Sequence, residues 1–264
     1  MAPAALCKSY CAKASVAKQC ARVDCMACES CRHLPPETVA AAAEALAKAD
    51  NISCISDGSF TIPEATNWPA PYHFLDDRLA SRIQSLVGAR QLLDIGAGSG
   101  QYGAFFERRR RSADVGVPLW SGVDGAENIE LFTSRKGPPG ARVRFANLCD
   151  PALRLPTADW VMSLEVGEHL PSSCLATYSR LLSRTAREGL LLSWAHPHQG
   201  GKCHINTRTA EWVEQTFGAL GWSVDRHETA ACRAEARYEW LRHNVFVFRP
   251  KGSRGTTARR REFA

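Results

Sequence analysis

The sequence predicts an α/β domain built on a doubly wound, mostly parallel sheet of seven strands, and three observations carry that expectation. Short apolar segments recur at 91–95, 119–123, 142–145, 159–164, 190–194, 222–226 and 244–248. Between the first five of them, stretches such as 100–111 and 172–187 are long enough for crossover helices, which favours parallel pairing with right-handed connections. Polar and glycine-rich turns follow these strands, where an open sheet of this kind places its ligand crevice.

The elements follow in order. Six of the 11 cysteines crowd into the first segment, 1–34, as Cys7, Cys11, Cys20, Cys25, Cys28 and Cys31. Such density in a stretch too short for a core fits a disulfide knot, a thiolate metal site, or free thiols, and the sequence leaves all three open. Pro35-Pro36 breaks the chain, an alanine-rich run at 37–49 is expected to be a linker helix, and a proline-rich strap completes the 35–71 connection. The isolated Cys54, Cys149, Cys174, Cys203 and Cys232 read as small core or surface residues. The main domain is expected at 72–250, opening with an amphipathic helix at 75–87, where Leu75, Leu79, Ile83, Leu86 and Val87 share one face and Gly88 caps the end.

Composition narrows the function classes. With 264 residues, 45% hydrophobic and 23% charged, the chain can bury one large core, and global disorder is excluded. Much of the net charge of +6 sits at 108–111 and in the basic tail at 251–264, which is expected to be solvated, so nucleic acid is not an expected partner. No run approaches the roughly 18 apolar residues of a membrane span, so no membrane association is expected. The lack of a visible signal peptide favours a cytoplasmic chain, whereas disulfides among the first cysteines would place it in a lumen or outside the cell.

Two motifs carry the chemistry. In Leu92-Leu93-Asp94-Ile95-Gly96-Ala97-Gly98-Ser99-Gly100 an acid sits at a strand end, and three alternate glycines form the turn into a helix. Asp124 follows 30 residues after Asp94, at the next strand end. In Ser163-Leu164-Glu165-Val166-Gly167-Glu168-His169-Leu170 a fourth strand runs into a Glu-His sequence. Together these segments resemble class I S-adenosylmethionine-dependent methyltransferases, of the methyltransferase type 11-like kind.

The resemblance implies a Rossmann-like methyltransferase fold with S-adenosyl-L-methionine as cofactor. It implies cofactor contacts at Asp94, Gly96, Gly98, Gly100, Asp124, Asn147, Leu148 and Glu165, with Asp94 on the methionine ammonium and Asp124 on the ribose. The glycines are expected because a side chain there would occupy the ligand's volume or forbid the φ values of the turn. Gly98-Ser99-Gly100-Gln101-Tyr102-Gly103 also satisfies the dinucleotide fingerprint, but the match begins late after its strand and sets a buried acid beside a pyrophosphate.

Methyl transfer mainly needs alignment, plus a base where the acceptor must lose a proton. Glu165, Glu168, His169 and His204 are the catalytic candidates, with His196 and His198 as further possible bases. In the loop after the fifth strand, Gln199, His204 and Asn206 are expected to bind a small-molecule or polymeric acceptor at oxygen or nitrogen. His196, His198, Cys203 and His204 lack a recognised zinc spacing, so no metal is expected. The alternative left open is a non-catalytic cofactor-binding protein, or an interaction protein working through its cysteines.

Overall fold

The computed structural model describes Ile62 and the stretches 65–70, 73–201 and 203–252. The cysteine-rich segment, the expected linker helix and the tail beyond 252 lie outside the described residues. In chain order the elements are α1 (Asp77–Val87), β1 (Gln91–Ile95), α2 (Gln101–Arg111), β2 (Leu119–Asp124), α3 (Ile129–Lys136), β3 (Val143–Phe145), β4 (Ala158–Ser163), α4 (Leu175–Thr185), β5 (Ala186–Ser193), α5 (Ala210–Ala219), β6 (Trp222–Val224), α6 (Arg226–Glu235), α7 (Glu239–Asn244) and β7 (Val245–Pro250).

The strands form one seven-stranded sheet in the order β3-β2-β1-β4-β5-β7-β6. All pairings are parallel except those of β7, which is antiparallel to both β5 and β6. Strand order reverses between β1 and β4, so the crevice opens beyond the carboxyl ends of β1, β2 and β4.

Strand pleating explains the two layers of helices. Leu92, Trp160, Leu191 and Val247 face one side and pack with Leu79, Ile83, Phe105 and Phe106 of α1 and α2, and with Cys232 and Leu241 of α6 and α7. Leu93, Val161, Leu192 and Phe246 face the other and pack with Leu181 and Leu182 of α4 and Phe217 of α5. Each of the large apolar side chains among them is at most 4% exposed, a burial worth about 1.5–3 kcal/mol apiece. The core therefore lies in two layers, one on each face of the sheet.

Several element ends differ from the expectation for local reasons. The first helix starts at Asp77, because Asp76 is its N-cap and accepts the Leu79 amide at 2.9 Å. The sixth strand stops at Val224, because Asp225 caps α6 by accepting the Glu228 amide. The fifth begins four residues early, at Ala186, paired with Ala158 beyond the apolar run. Asn244 closes α7 rather than opening the last strand. The basic run ends α2, where Arg109 pairs with Asp114 and Arg110 and Arg111 with Glu107. No helix among the described residues is long and apolar enough to cross a membrane.

Candidate active site

Gly96, Gly98 and Gly100 have φ of 84°, 55° and 76°, so the turn after β1 uses left-handed backbone at every second residue. The arch crosses the end of β2, where the amides of Gly96 and Ala97 both donate to the Val123 carbonyl, at 2.8 and 2.9 Å. Glycine is demanded at two of these positions by the chain itself. A Cβ at Gly100 would stand 2.2 Å from the Ala141 carbonyl oxygen, and one at Gly96 would stand 2.3 Å from a Val166 methyl. The turn's backbone and its close packing therefore require glycine at these positions whatever lies above the arch.

At Gly98 the neighbour is the ring of His73, 3.1 Å from where a Cβ would lie. His73 ends a strap that is pinned to the arch. Trp68 Nε1 donates to the Ser99 carbonyl at 2.7 Å and the Ala70 amide donates to Ser99 Oγ at 3.2 Å. Burial pushes the His73 pKa below its usual value, against the pull of the Asp124 charge. The sequence reading missed this residue, which precedes a helix with no motif of its own.

Two acids face the arch. Asp124 is buried and accepts the Gly98 amide at 2.7 Å through Oδ2 and the Ala126 amide at 2.9 Å through Oδ1. Each oxygen keeps a lone pair for a further donor. Asp94 is 3% exposed, and burial pushes its carboxyl up to about 8, eased by a hydrogen bond from Trp120 Nε1 at 3.2 Å and raised further by the Asp124 charge. Trp120 reaches it because its ring fills a slot where Gly103 and Gly122 lack side chains. It too went unread, although glycine at those positions is the signal that a large ring lies against them.

The fourth-strand motif divides into two kinds of carboxylate. Glu165, at φ 55°, is held by three side chains: Oε1 accepts Ser193 Oγ and Asn244 Nδ2, both at 2.7 Å, and Oε2 accepts Gln199 Nε2 at 3.2 Å. Glu168 lies against it, close enough for the two carboxyls to share a proton, and burial followed by the Glu165 charge drives its pKa well above the usual range. No side chain other than Glu165 reaches the Glu168 oxygens, whose only nearby donors are the main-chain amides of Glu168 and Ala195, neither in full hydrogen-bond geometry, and the residue is 0% exposed.

His169 and His204 meet edge to face, ring centres 4.9 Å apart. Burial is the main cause that lowers both, His169 to about 3 and His204 to about 4. Their rings are uncharged at neutral pH.

The loop after β5 is more tightly bonded to its own protein than its sequence suggests. Gln199 is buried, its amide held by Glu165 and its Oε1 accepting from His196 N and Asn244 Nδ2, both at 3.3 Å. Asn206 is buried as well. Its Nδ2 donates to the carbonyls of Leu170 at 3.1 Å and Gly167 at 3.4 Å, while its own carbonyl accepts Trp194 Nε1 at 2.8 Å. Both side chains, expected to greet an acceptor, are spent on the frame that holds the 167–170 turn. His196 Nε2 lies 3.1 Å from the His243 carbonyl, and His198 sits at φ 75°.

Replacing Asn206 by alanine leaves the buried Leu170 carbonyl without its donor, while the Gly167 carbonyl keeps the Leu170 amide, a cost of about 1–3 kcal/mol. The variant is expected to melt several degrees lower in a thermal scan. An unchanged melting temperature would remove Asn206 from the frame.

On the far side, Asn147 follows β3, is exposed, and accepts the Cys149 amide at 2.9 Å; Leu148 turns its side chain into the core. Cys149 and Cys174, expected to be single small residues, are joined in a disulfide across 25 positions. The bond ties the loop after β3 to the turn that starts α4. Cys232 is a free thiol, buried.

No protein-family profile matches the chain, and no curated protein matches it by sequence. Solved structures do. A TehB-like SAM-dependent methyltransferase from Corynebacterium glutamicum superposes with a TM-score of 0.50 at 13% identity, covering 66% of this chain and 88% of that one. CalS10, an amino pentose methyltransferase from Micromonospora echinaspora, gives 0.49 at 16% identity, covering 67% and 92%. The chain thus has the fold of the class I S-adenosylmethionine-dependent methyltransferases.

Proposed function

We propose that this protein transfers the methyl group of S-adenosylmethionine to an oxygen or nitrogen acceptor. The observation that carries the reading is the pair of buried acids, Asp94 and Asp124, set against a glycine arch at the point where strand order reverses.

The residues present fit that cofactor. Asp94 has no cation within its set of hydrogen-bond partners and is held protonated by burial, so an ammonium is the partner it lacks. Asp124 keeps one lone pair on each oxygen for a pair of vicinal hydroxyls. Gly96, Gly98 and Gly100 let the backbone approach a ligand closely, and His73 covers the arch from the strap side. Asn147 and the backbone of Leu148 are assigned to the adenine edge. A dinucleotide is a poorer fit, because Asp94 would have to lie beside a pyrophosphate.

S-adenosylmethionine supplies an electrophilic methyl on a sulfonium, open to in-line attack. The chain then has to hold the acceptor's nucleophile in line, and Glu168, His169 and His204 are the groups assigned to that. Glu165, Gln199 and Asn206 position these three and are not assigned to either ligand.

Heat-shift titration is expected to show stabilisation by S-adenosylhomocysteine and none by NAD. Incubating the protein with cell extract and isotope-labelled S-adenosylmethionine should then yield one acceptor class gaining label by mass spectrometry. Stabilisation by NAD alone, or no response to S-adenosylhomocysteine, would overturn the reading.

A further inference from the structure

We infer that Glu168, His169 and His204 together bind a divalent transition-metal ion at the acceptor end of the crevice. Each offers a ligand atom, and the three atoms lie within 4.8 Å of one another. Around a bound zinc such atoms stand about 3.3–3.5 Å apart, so side-chain rotation of about 1 Å completes the site. The spacing of histidines and Cys203 in the sequence pointed to no metal, because the set that converges includes a glutamate 36 residues before His204 and leaves Cys203 out.

The surroundings favour a cation over a purely structural cluster. Glu165 and Glu168 share one buried environment, yet Glu165 collects side-chain hydrogen bonds from Ser193, Asn244 and Gln199, while Glu168 has only the poorly aligned main-chain amides of Glu168 and Ala195 near it and no side-chain donor other than Glu165. A buried carboxylate left with bare lone pairs is costly unless a cation takes them. The main chain of Glu168 is nevertheless fixed, its carbonyl accepting the amides of Ile205 and Asn206, both at 2.9 Å. Its carboxylate is therefore held beside the loop that carries His204.

The two imidazoles are prepared in the way metal-binding histidines are. His204 Nδ1 lies 3.2 Å from the Gln199 carbonyl, and the His169 ring bonds to the backbone of Cys203. Each ring thus spends one nitrogen on a backbone carbonyl of the 199–203 loop and presents the other's lone pair. Gly201 lies so close to the His204 ring that a Cβ would stand 2.1 Å from its Cε1, so the ring's place depends on that glycine.

Two imidazoles with one carboxylate suit zinc, manganese, cobalt or iron(II) better than magnesium or calcium, which prefer all-oxygen shells. Three protein ligands leave coordination positions open, and His169 is the half-buried member, so those positions face the crevice. An acceptor oxygen bound there would be held beside the arch. That last role rests on the methyltransferase reading, but binding of the ion does not.

The full-length protein, stripped with chelator and dialysed, should be titrated calorimetrically with zinc, manganese and magnesium chlorides and assayed for metal content. The expectation is one equivalent of zinc or manganese that is lost in both Glu168→Gln and His204→Gln, with magnesium binding at least 10-fold weaker. Cobalt(II) should give weak visible bands without intense sulfur charge transfer, which separates this site from thiolate binding at the N-terminal cysteines. Circular dichroism of Glu168→Gln, which keeps the shape of the side chain, controls for folding. Failure of the protein to take up any of these ions, or retention of the same equivalent in both variants, would overturn the site and leave Glu165 and Glu168 sharing a proton instead. Binding of zinc without any response to S-adenosylhomocysteine would leave the ion site standing and refute the methyltransferase reading alone.

Discussion

Asp94→Asn is expected to weaken S-adenosylhomocysteine binding by about 100-fold or more at pH 8, because removing one partner of a buried charge pair costs about 3–5 kcal/mol. The same residue predicts a pH dependence whose sign follows from its environment. Its carboxyl is raised from 3.8 to about 8 in the ligand-free fold, so the fold binds a proton that the unfolded chain has released. Stability from this group is full below about pH 4 and is lost as pH rises through about 8. Binding of an ammonium needs the ionised form, so affinity should improve by up to about 10-fold per pH unit between 6 and 8 and then level off. Calorimetry across that range checks it, with Asp94→Asn expected to give a flat profile. Equal affinity of the two proteins, or a flat profile in the parent, would take Asp94 out of the cofactor site.

Gly100→Ala is expected to damage the fold rather than the ligand. The residue is the N-cap of α2 at φ 76°, ψ 25°, where a Cβ is strained, and the added carbon would stand 2.2 Å from the Ala141 carbonyl oxygen. Backbone must yield, at about 3 kcal/mol or more, which lowers Tm by roughly 6–12 °C for a domain of this size. Gly218→Ala makes the comparison. It lies in α5 with nothing within 4 Å, so the same substitution there should be neutral or stabilising by up to about 1 kcal/mol. Similar melting temperatures for the two variants would show that the close approach at Gly100 is absent.

Much of the fold was legible because it is written locally. Trp160 and Val161, or Leu191 and Leu192, alternate faces by pleat alone, and Asp94 and Asp124 announce themselves by standing at strand ends beside glycines. The site's wiring was not legible, because each wire joins residues far apart in sequence. Glu165 was recognised as an acid in the right place, but its bonding to Ser193, Gln199 and Asn244 depends on three elements meeting. The Cys149–Cys174 bond likewise depends on β3 and α4 being brought together, which no cysteine spacing shows. His73 and Trp120 act through what neighbouring glycines lack, a signal that becomes readable only once the neighbours are known.

The position of β7 has a consequence for how the protein is made. Asn244, which donates to Glu165 at 2.7 Å, immediately precedes the strand that slots between β5 and β6. A chain emerging from the ribosome amino end first, at about 5–20 residues per second, can lay down β1 to β5 and their helices early. Glu165 then waits, buried in prospect but short of a donor, until residues through 250 are synthesised and inserted at a gap inside the sheet. The arch is thus an early product of translation and the acceptor side a late one, so a nascent chain stopped before β7 would carry the cofactor acids without the partner that completes Glu165.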